Sequence, residues 1–558
     1  MGVRQQQTTK YVGPWPDGVI TRHEGSYDVA ESYLSDCINF DVSDYGVLIQ
    51  RPGFVRFHDA DSSAWPANFT NSGPFRLLGS APTGGNLRLY VSLLILTGGT
   101  WKERIYYTDD PTTGSLTQII QNDHGAVKPP DTQLFSQAVL YNGKIYFIRR
   151  GQAGAGAFVN NVSMDNGDTT GASAAGTGAP GTGSQFGYYA FVMQDRMFVV
   201  DLNGSKVNYS KATDPTAWAA PDGGFFNVNP QSGQGINAVV ALEDIVYIFK
   251  PDESWAFSFN TDPAVDGTLR VISRTYGAWD ATSRGSEMFV VNRFGIFRFV
   301  DGNFIDIAQN VANILDSKDA WNTDACITVV GDRLIIGSVL PTGGAFTCLM
   351  MNLNTNAWTK YLPTDAVIGP TSKRSYRVGK DTGKTFMVWG DTPSAVGDVA
   401  GVAGGYFSMM RVGVNMASPD DKCRDQDRLG VVYAPTYTLV TVPIALDDPT
   451  RWKKLYRWRF DILQVDADSQ DAKPVFSVRD GDPTVVDDSQ TLTSYADFYA
   501  DFFDSVVTKQ QRFKVMQFGM TKASTVTDPQ AGNNVAEQQT LRVRGLAMNY
   551  AVKGLIRS

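Results

Sequence analysis

One pattern constrains this chain more than any other: a short apolar run stops at a polar or glycine-bearing turn, and a second apolar run follows. It is plainest in Val239 to Phe304, which opens VVALEDIVYIFKPDESWAFSF and closes GSEMFVVNRFGIFRFVDGNF. Val246, Tyr247, Ile248 and Phe249 suit a pleated strand, as do Ile296, Phe297, Phe299 and Val300. The turns are Leu242-Glu243-Asp244 and Asn292-Arg293-Phe294-Gly295. A single hairpin is too small to stand alone in water, so several must pack together. A row of packed hairpins predicts a propeller or a large sandwich.

The same form recurs along the chain. Leu87 to Thr108 turns at Gly98-Gly99, Ala138 to Ile148 at Asn142-Gly143, and Tyr189 to Val200 at Gln194-Asp195. Asn-Gly is the strongest two-residue hairpin signal, because both positions tolerate positive φ. Ile327 to Ile336 turns at Gly331-Asp332, Cys348 to Tyr361 (CLMMNLNTNAWTKY) repeats the form, and Ser375 to Trp389 turns at Asp381-Thr382-Gly383. Where the spacing is clear it is about 40–50 residues, the length of a four-stranded blade, and about six or seven blades fit.

The expected fold is therefore all-β: an irregular β-propeller with an N-terminal docking arm and a C-terminal β-sandwich. Residues 1–60 form the arm and first hairpin, 61–420 the propeller, and 421–558 the sandwich. In the arm, Asp44-Tyr45-Gly46 reads as a turn between Ile38/Phe40 and Val47/Ile49, and Arg51-Pro52-Gly53 turns the chain again. Ile38, Phe40, Tyr45, Arg51 and Phe54 are the expected docking residues, with a first hairpin of the main domain as the plainer reading. Residues 151–187 carry ten glycines and read as a flexible insert rather than core. Residues 390–430 read as a second polar, glycine-rich passage. In the C-terminal part, Tyr456, Trp458, Phe460 and Ile462 alternate with Leu455, Arg457, Arg459 and Asp461, a half-buried strand with a mainly basic outer row. A short helix is expected over Ser494 to Phe503.

The net charge of −8 and pI near 5.1 argue against a general DNA-binding groove, while leaving room for DNA to pass without sticking. Cys37, Cys326, Cys348 and Cys423 lie far apart and read as reduced structural thiols, with a Cys326–Cys348 bridge left open. No run approaches 18 apolar residues, and no signal peptide or membrane helix is expected.

Motifs for chemistry fail on spacing or number. In Gly379 to Thr385 (GKDTGKT), three residues separate the glycines where a P-loop needs four. Ser163 to Thr170 partly matches the Asp-box turn of sialidase-like propellers, and Asp165 with Asp168 offers two carboxylates where calcium takes six to eight oxygens. Asp447-Asp448 and Asp487-Asp488 are adjacent pairs, which on a strand point to opposite faces. Asn68 and Asn161 fit glycosylation sequons read as coincidence. His23, His58 and His124 all lie in the first quarter. No catalytic, cofactor-binding or metal-ligating residue is assigned, and the chain is expected not to be an enzyme.

Four passages together resemble the propeller proteins of bacteriophage tails, above all the nozzle or tail-stabilisation proteins of short-tailed phages. They are INFDVSDYGVLIQRPGF (Ile38 to Phe54), VNYSKATDPTAW (Val207 to Trp218), VYIFKPDESWAFS (Val246 to Ser258) and YGAWDATSRGSEMFVVNRFGIFRFVDG (Tyr276 to Gly302). The resemblance implies a structural virion protein of the tail, assembled in the host cytoplasm. Such nozzles form a hexameric ring below the portal and its adaptor, meet tail fibres, and leave a central channel for passing DNA. The insert and the C-terminal sandwich carry no such pattern. A rival reading is a receptor- or glycan-binding propeller at a tail tip, with Trp218, Trp255 and Trp358 exposed to stack on sugars. A third is a carbohydrate-active enzyme working through the paired aspartates.

Overall fold

A computed structural model describes residues 8–20, 30–51, 54–56, 72–83, 86–108, 117–127, 129, 134–149, 158–163, 186–201, 204–215, 217–218, 221, 223–300, 302–312, 321–339, 347–361, 376–379, 385–390, 409–413, 425–426, 432–433, 437–444, 452–464, 475–480, 488–491, 503–504, 516–522 and 542–552. Among the described residues the regular elements are β-strands and short 3-10 turns, so the chain is all-β. No helix among them is long and apolar enough to cross a membrane.

Seven antiparallel meanders follow one another. Meander I comprises Ser72–Thr83, Asn86–Thr97, Thr100–Thr108 and Thr117–Gly125. Meander II comprises Phe135–Tyr141, Lys144–Arg149 and Phe158–Ser163. Meander III is Phe186–Met193, Arg196–Asp201, Lys206–Tyr209 and Gly224–Asn227; meander IV is Ala238–Leu242, Ile245–Phe249, Ser254–Ser258 and Thr268–Ser273. Meander V is Asp280–Arg284, Glu287–Asn292, Gly295–Val300 and Asn303–Asp306; meander VI is Trp321–Val330, Arg333–Val339, Thr347–Asn352 and Ala357–Tyr361. Meander VII is Tyr376–Gly379, Thr385–Gly390 and Met409–Gly413, with Phe54–Arg56 from the N-terminal segment as its fourth strand.

The first strands of meanders I to VI pack one on the next in sequence order. The first strand of VI touches Thr385–Gly390 of VII, and both Tyr376–Gly379 and Thr385–Gly390 touch the first strand of I. Period-two patterning explains how each meander serves two neighbours. In meander III, Met197 and Val199 join the core shared with II, while Phe198 and Val200 join the core shared with IV. Ile145 and Phe147 face I, whereas Tyr146 and Ile148 face III. Met288 and Val290 face IV, whereas Phe289 and Val291 face VI. Runs such as MFVV are apolar without interruption because both of their faces are buried. Each such side chain contributes roughly 1.5–3 kcal/mol.

The two chain ends build the sandwich together. One sheet runs Phe40–Val42, Leu48–Gln50, Arg542–Val552, Lys453–Gln464, Phe503–Asp504, with Thr8–Val12 also paired to Arg542–Val552. The other runs Leu34–Ile38, Tyr437–Thr441, Met516–Lys522, Val475–Asp480, Asp488–Thr491, and continues from the last strand of meander VI through a parallel bridge at Ile38 and Lys360. Between them lie Trp15, Leu34, Cys37, Phe40, Leu439, Leu455, Trp458, Phe460, Phe518, Met520, Leu546, Met548 and Tyr550.

Several expectations change here. The described strands within residues 1–60 do not stand apart as an arm: they pair into the sandwich sheets and meander VII. Phe158–Ser163, inside the supposed loop 151–187, is the third strand of meander II, pairing from Lys144 to Ile148. Met409–Gly413, inside the supposed polar passage, pairs on both sides. Leu455, expected on the outer row, is fully buried, because a bulge between Leu455 and Arg457 inverts the alternation. Cys348 is buried, and strand Arg333–Val339 separates its strand from that of Cys326, so the two cysteines are not on neighbouring strands. The turn 380–384, Asp165, Asp168, Asp447, Asp448, Asp487 and residues 494–502 lie outside the described residues.

Candidate functional site

Among the described residues, a buried polar cluster joins the N-terminal hairpin to meander VI. Asn39 precedes the hairpin with φ 63°, a left-handed conformation that Asn tolerates. This kink lets its N–H reach Lys360 O at 2.7 Å and its carbonyl receive the Arg51 N–H at 3.0 Å. Arg51 Nε also donates to Asn39 Oδ1 at 2.7 Å, and the guanidinium lies 5.7 Å from the Tyr361 ring centroid. Asp41 sits between the core residues Phe40 and Val42, so its side chain points away from the sandwich core and onto meander VI. There it accepts the Tyr361 hydroxyl and pairs with Arg333. Arg51 is fully buried and Asp41 4% exposed.

Around this pair the joint is completed by shorter reaches. Asn352 Nδ2 donates to Val42 O at 2.8 Å and to Asp44 Oδ1 at 3.2 Å, and Lys360 Nζ to Asp36 Oδ1 at 2.7 Å. Gly18 lies against the backbone of Trp358, where a Cβ would stand 2.6 Å from its nitrogen, and Val19 N donates to Trp358 O at 2.9 Å. Burial pushes the Asp41 carboxyl above its ordinary range, with Arg333 and then Arg51 pulling the other way. Burial likewise raises the Cys37 thiol well above its usual value.

Two further polar joints lie between meanders. Glu103, fully buried in meander I, accepts from Ser92 Oγ at 2.8 Å and from the Phe135 backbone N–H of meander II at 2.7 Å; His124 stands 3.4 Å away. These residue types suggest a hydrolytic triad, but here the carboxylate stands between hydroxyl and imidazole, where a relay needs the imidazole in the middle. Lys250 is also fully buried; its Nζ donates to Asn229 O and Ser232 Oγ, each at 2.8 Å. Burial lowers its pKa, opposed by Glu253. Both clusters act as fasteners between sheets.

The residues singled out in sequence fall on both sides of this geometry. Ile38, Phe40 and Arg51 lie within the joint, so they dock the chain onto itself; Phe40 and Arg51 are buried, leaving no surface for a neighbour. Tyr45, at the hairpin turn, is 84% exposed. Phe54 pairs with Val412 at the edge of meander VII. The three tryptophans expected at the surface are core residues: Trp218 is 5%, Trp255 8% and Trp358 0% exposed. Each indole N–H is satisfied internally, by Pro215 O at 2.7 Å, Glu253 Oε2 at 3.0 Å and Ile307 O at 2.9 Å. They fill spaces between meanders rather than stack on sugars. Sequence reasoning missed Asp41, Arg333 and Tyr361. The available signal was a lone carboxylate between two apolar residues in Phe40-Asp41-Val42.

No family model and no curated protein matches the chain. Among solved structures, it is similar to the AfRom2 CNH domain at 8% identity and TM-score 0.32, covering 64% of this chain and 99% of that one. It is similar to Pyrococcus horikoshii acylaminoacyl peptidase at 7% identity and TM-score 0.33, covering 68% and 59%. It is also similar to the α-L-arabinofuranosidase of Podospora anserina, in complex with cellotriose, at 8% identity and TM-score 0.26, covering 65% and 96%. The expectation that the chain is not an enzyme is withdrawn on this finding, since two of these three are hydrolases. At such scores no activity carries over to this chain.

Proposed function

We propose that the chain is a structural component of a bacteriophage tail, in which the seven meanders close as the blades of a propeller and the sandwich fixes that ring to its neighbours. In this reading several copies, six by the resemblance, form a nozzle-like ring around a channel for DNA and connect adaptor, fibres and tail tip. The observation that carries the reading is the use made of the chain ends. The cyclic succession of first strands from meander I to VII and back to I supports closure, and Phe54–Arg56 lies on the last meander as a closing strand. The same N-terminal segment is clamped to meander VI by the Asp41–Arg333 pair and by Arg51 over the Tyr361 ring. A ring and a sandwich joined by buried ionic contacts resist shear between them, as a load-transmitting ring of a particle requires. The first of the four passages that carry the likeness, Ile38 to Phe54, is the one that makes this joint.

The test is negative-stain microscopy and light-scattering mass of the purified protein, with immunodetection in purified particles. A ring of several copies with a central pore, present in particles, is the expected result. A chain that stays monomeric at high concentration and is absent from particles refutes it.

A further inference from the structure

The link between meanders III and IV surrounds one peptide bond with more polar groups than fastening needs. It follows strand Gly224–Asn227 and reaches Asn229-Pro230, where the short 3-10 turn Pro230–Ser232 begins. Asn229 holds φ 38° and ψ 70°. Proline steers the residue before it toward extended backbone, so a left-handed Asn in this place is strained. Three donors converge on the Asn229 carbonyl oxygen: Lys250 Nζ at 2.8 Å, Ser232 Oγ at 3.1 Å and the Ser232 backbone N–H at 3.2 Å. The Asn229 side-chain Nδ2 donates to both carboxylate oxygens of Glu253, at 2.9 and 2.8 Å. Meander IV presents Lys250 and Glu253 together, because a tight turn closed by Lys250 N to Glu253 O at 2.8 Å joins its second and third strands. Lys250 is fully buried, and its Nζ is also tied to Ser232 Oγ at 2.8 Å; Trp255 Nε1 steadies Glu253 Oε2 at 3.0 Å. The carbonyl, the amide nitrogen beside it and the groups touching each are thus held in place before any reaction.

We propose that Asn229-Pro230 is a self-cleaving bond, in which Asn229 Nδ2 attacks its own carbonyl carbon. The Nδ2–C bond forms and the C–N bond to Pro230 breaks. Residues 1–229 then end in a succinimide, and 230–558 begin with the free Pro230 amine. One proton leaves Nδ2 and one is gained by the Pro230 nitrogen, so no water, oxidant or co-reactant is consumed. Glu253 touches the attacking nitrogen and takes its proton as general base. Lys250 and Ser232 touch the oxygen on which negative charge develops, as the donors of an oxyanion hole do. Burial makes Lys250 a stronger acid than a solvated lysine, opposed by Glu253, which suits it to return a proton to the leaving nitrogen. Pro230 has no N–H, so the attack of the following backbone nitrogen that deamidates other Asn residues is closed. The two pieces stay together, because Phe198 of meander III and Phe257 of meander IV share one core. The inference does not rest on the ring reading, since a single chain holds every group involved.

The test is incubation of the purified full chain at neutral pH with protease inhibitors, followed by denaturing electrophoresis, intact mass and N-terminal sequencing. Two fragments are expected. The C-terminal one opens Pro230-Gln231-Ser232, and in early samples the N-terminal one is lighter by one water than a hydrolysis product. Asn229→Gly keeps the left-handed backbone and abolishes cleavage. Glu253→Gln slows it roughly a hundredfold and Lys250→Met by a similar factor. Ser232→Ala, which leaves the buried lysine in place, slows it at least roughly tenfold. Arg270→Gln, exposed on meander IV, leaves the rate unchanged. Urea unfolding midpoints show which variants keep the fold, and rates are compared among those. A parent chain that stays whole, a new terminus elsewhere, or cleavage that persists in Asn229→Gly overturns the proposal. So does a full-length chain lighter by one ammonia, which is the mark of a Lys250–Asn229 isopeptide instead.

Discussion

Removing the cation from the buried joint separates two accounts of how it works. Arg333→Met keeps the aliphatic stem but leaves Asp41, 4% exposed, facing only Tyr361 and the more distant Arg51. Breaking a buried pair by deleting one partner costs about 3–5 kcal/mol. Two features set the expected loss at the lower end, about 3 kcal/mol, within that range. The Arg333 side chain is 23% exposed, so the pair is partly screened, and the stranded carboxyl can take up a proton. Asp41→Asn behaves differently. The Asp41 carboxyl is raised because burial outweighs both arginines, so the folded joint favours the neutral form. An amide keeps an acceptor for Tyr361 and is expected to cost under about 1 kcal/mol. In the double variant Arg333→Met costs much less, and the coupling appears in a double-mutant cycle. The assay is urea unfolding followed by tryptophan fluorescence. A carboxyl raised in the folded state contributes stability that is fully present below its unfolded pKa, about 3.9, and lost as pH rises through the folded value. The stability of the parent relative to Asp41→Asn therefore declines as pH rises from about 4 and then levels off. A gap that stays flat, or that widens in favour of the parent with rising pH, refutes the claim that desolvation dominates at Asp41.

Further outcomes follow from other sites. Glu103→Ala strands the Phe135 amide that Glu103 accepts at 2.7 Å, and is expected to cost about 1–3 kcal/mol and speed hydrogen exchange at Phe135, while Glu103→Gln preserves most of the protection. Gly18→Ala brings a methyl to within 2.6 Å of the Trp358 backbone and lowers the unfolding midpoint clearly; Gly98→Ala, with positive φ but open space, costs only about 1 kcal/mol. Tyr11, pushed up to about 12 by burial first and then by Asp461, remains protonated through pH 10. The stability it contributes is therefore present below its unfolded pKa near 10 and lost as pH rises through about 12, and Tyr11→Phe removes a phenolate absorbance step in that window. Acrylamide quenches Trp452, 48% exposed, and spares Trp15, Trp218, Trp255 and Trp358, which single Trp→Phe variants will resolve.

The meanders were legible because their information is local. Asn142 and Gly143 have φ 46° and 69°, Gln194 and Asp195 44° and 55°, the paired positive values of a hairpin turn. Turn chemistry and the apolar runs beside it lie within a dozen residues, so the chain itself determined all-β structure and where its hairpins turn. Which faces those hairpins bury is a non-local matter. Trp218, Trp255 and Trp358 read as surface aromatics because nothing nearby shows the neighbouring meander that covers them. Asp41 and Tyr361 stand 320 positions apart, and no local periodicity marks them as partners. The exchange of strands between the chain ends has the same cause. Phe40, Leu546 and Trp458 are each apolar on one side of a strand, and only the folded chain decides which apolar sides meet. Tertiary structure thus turned an apparent docking arm into an internal clamp.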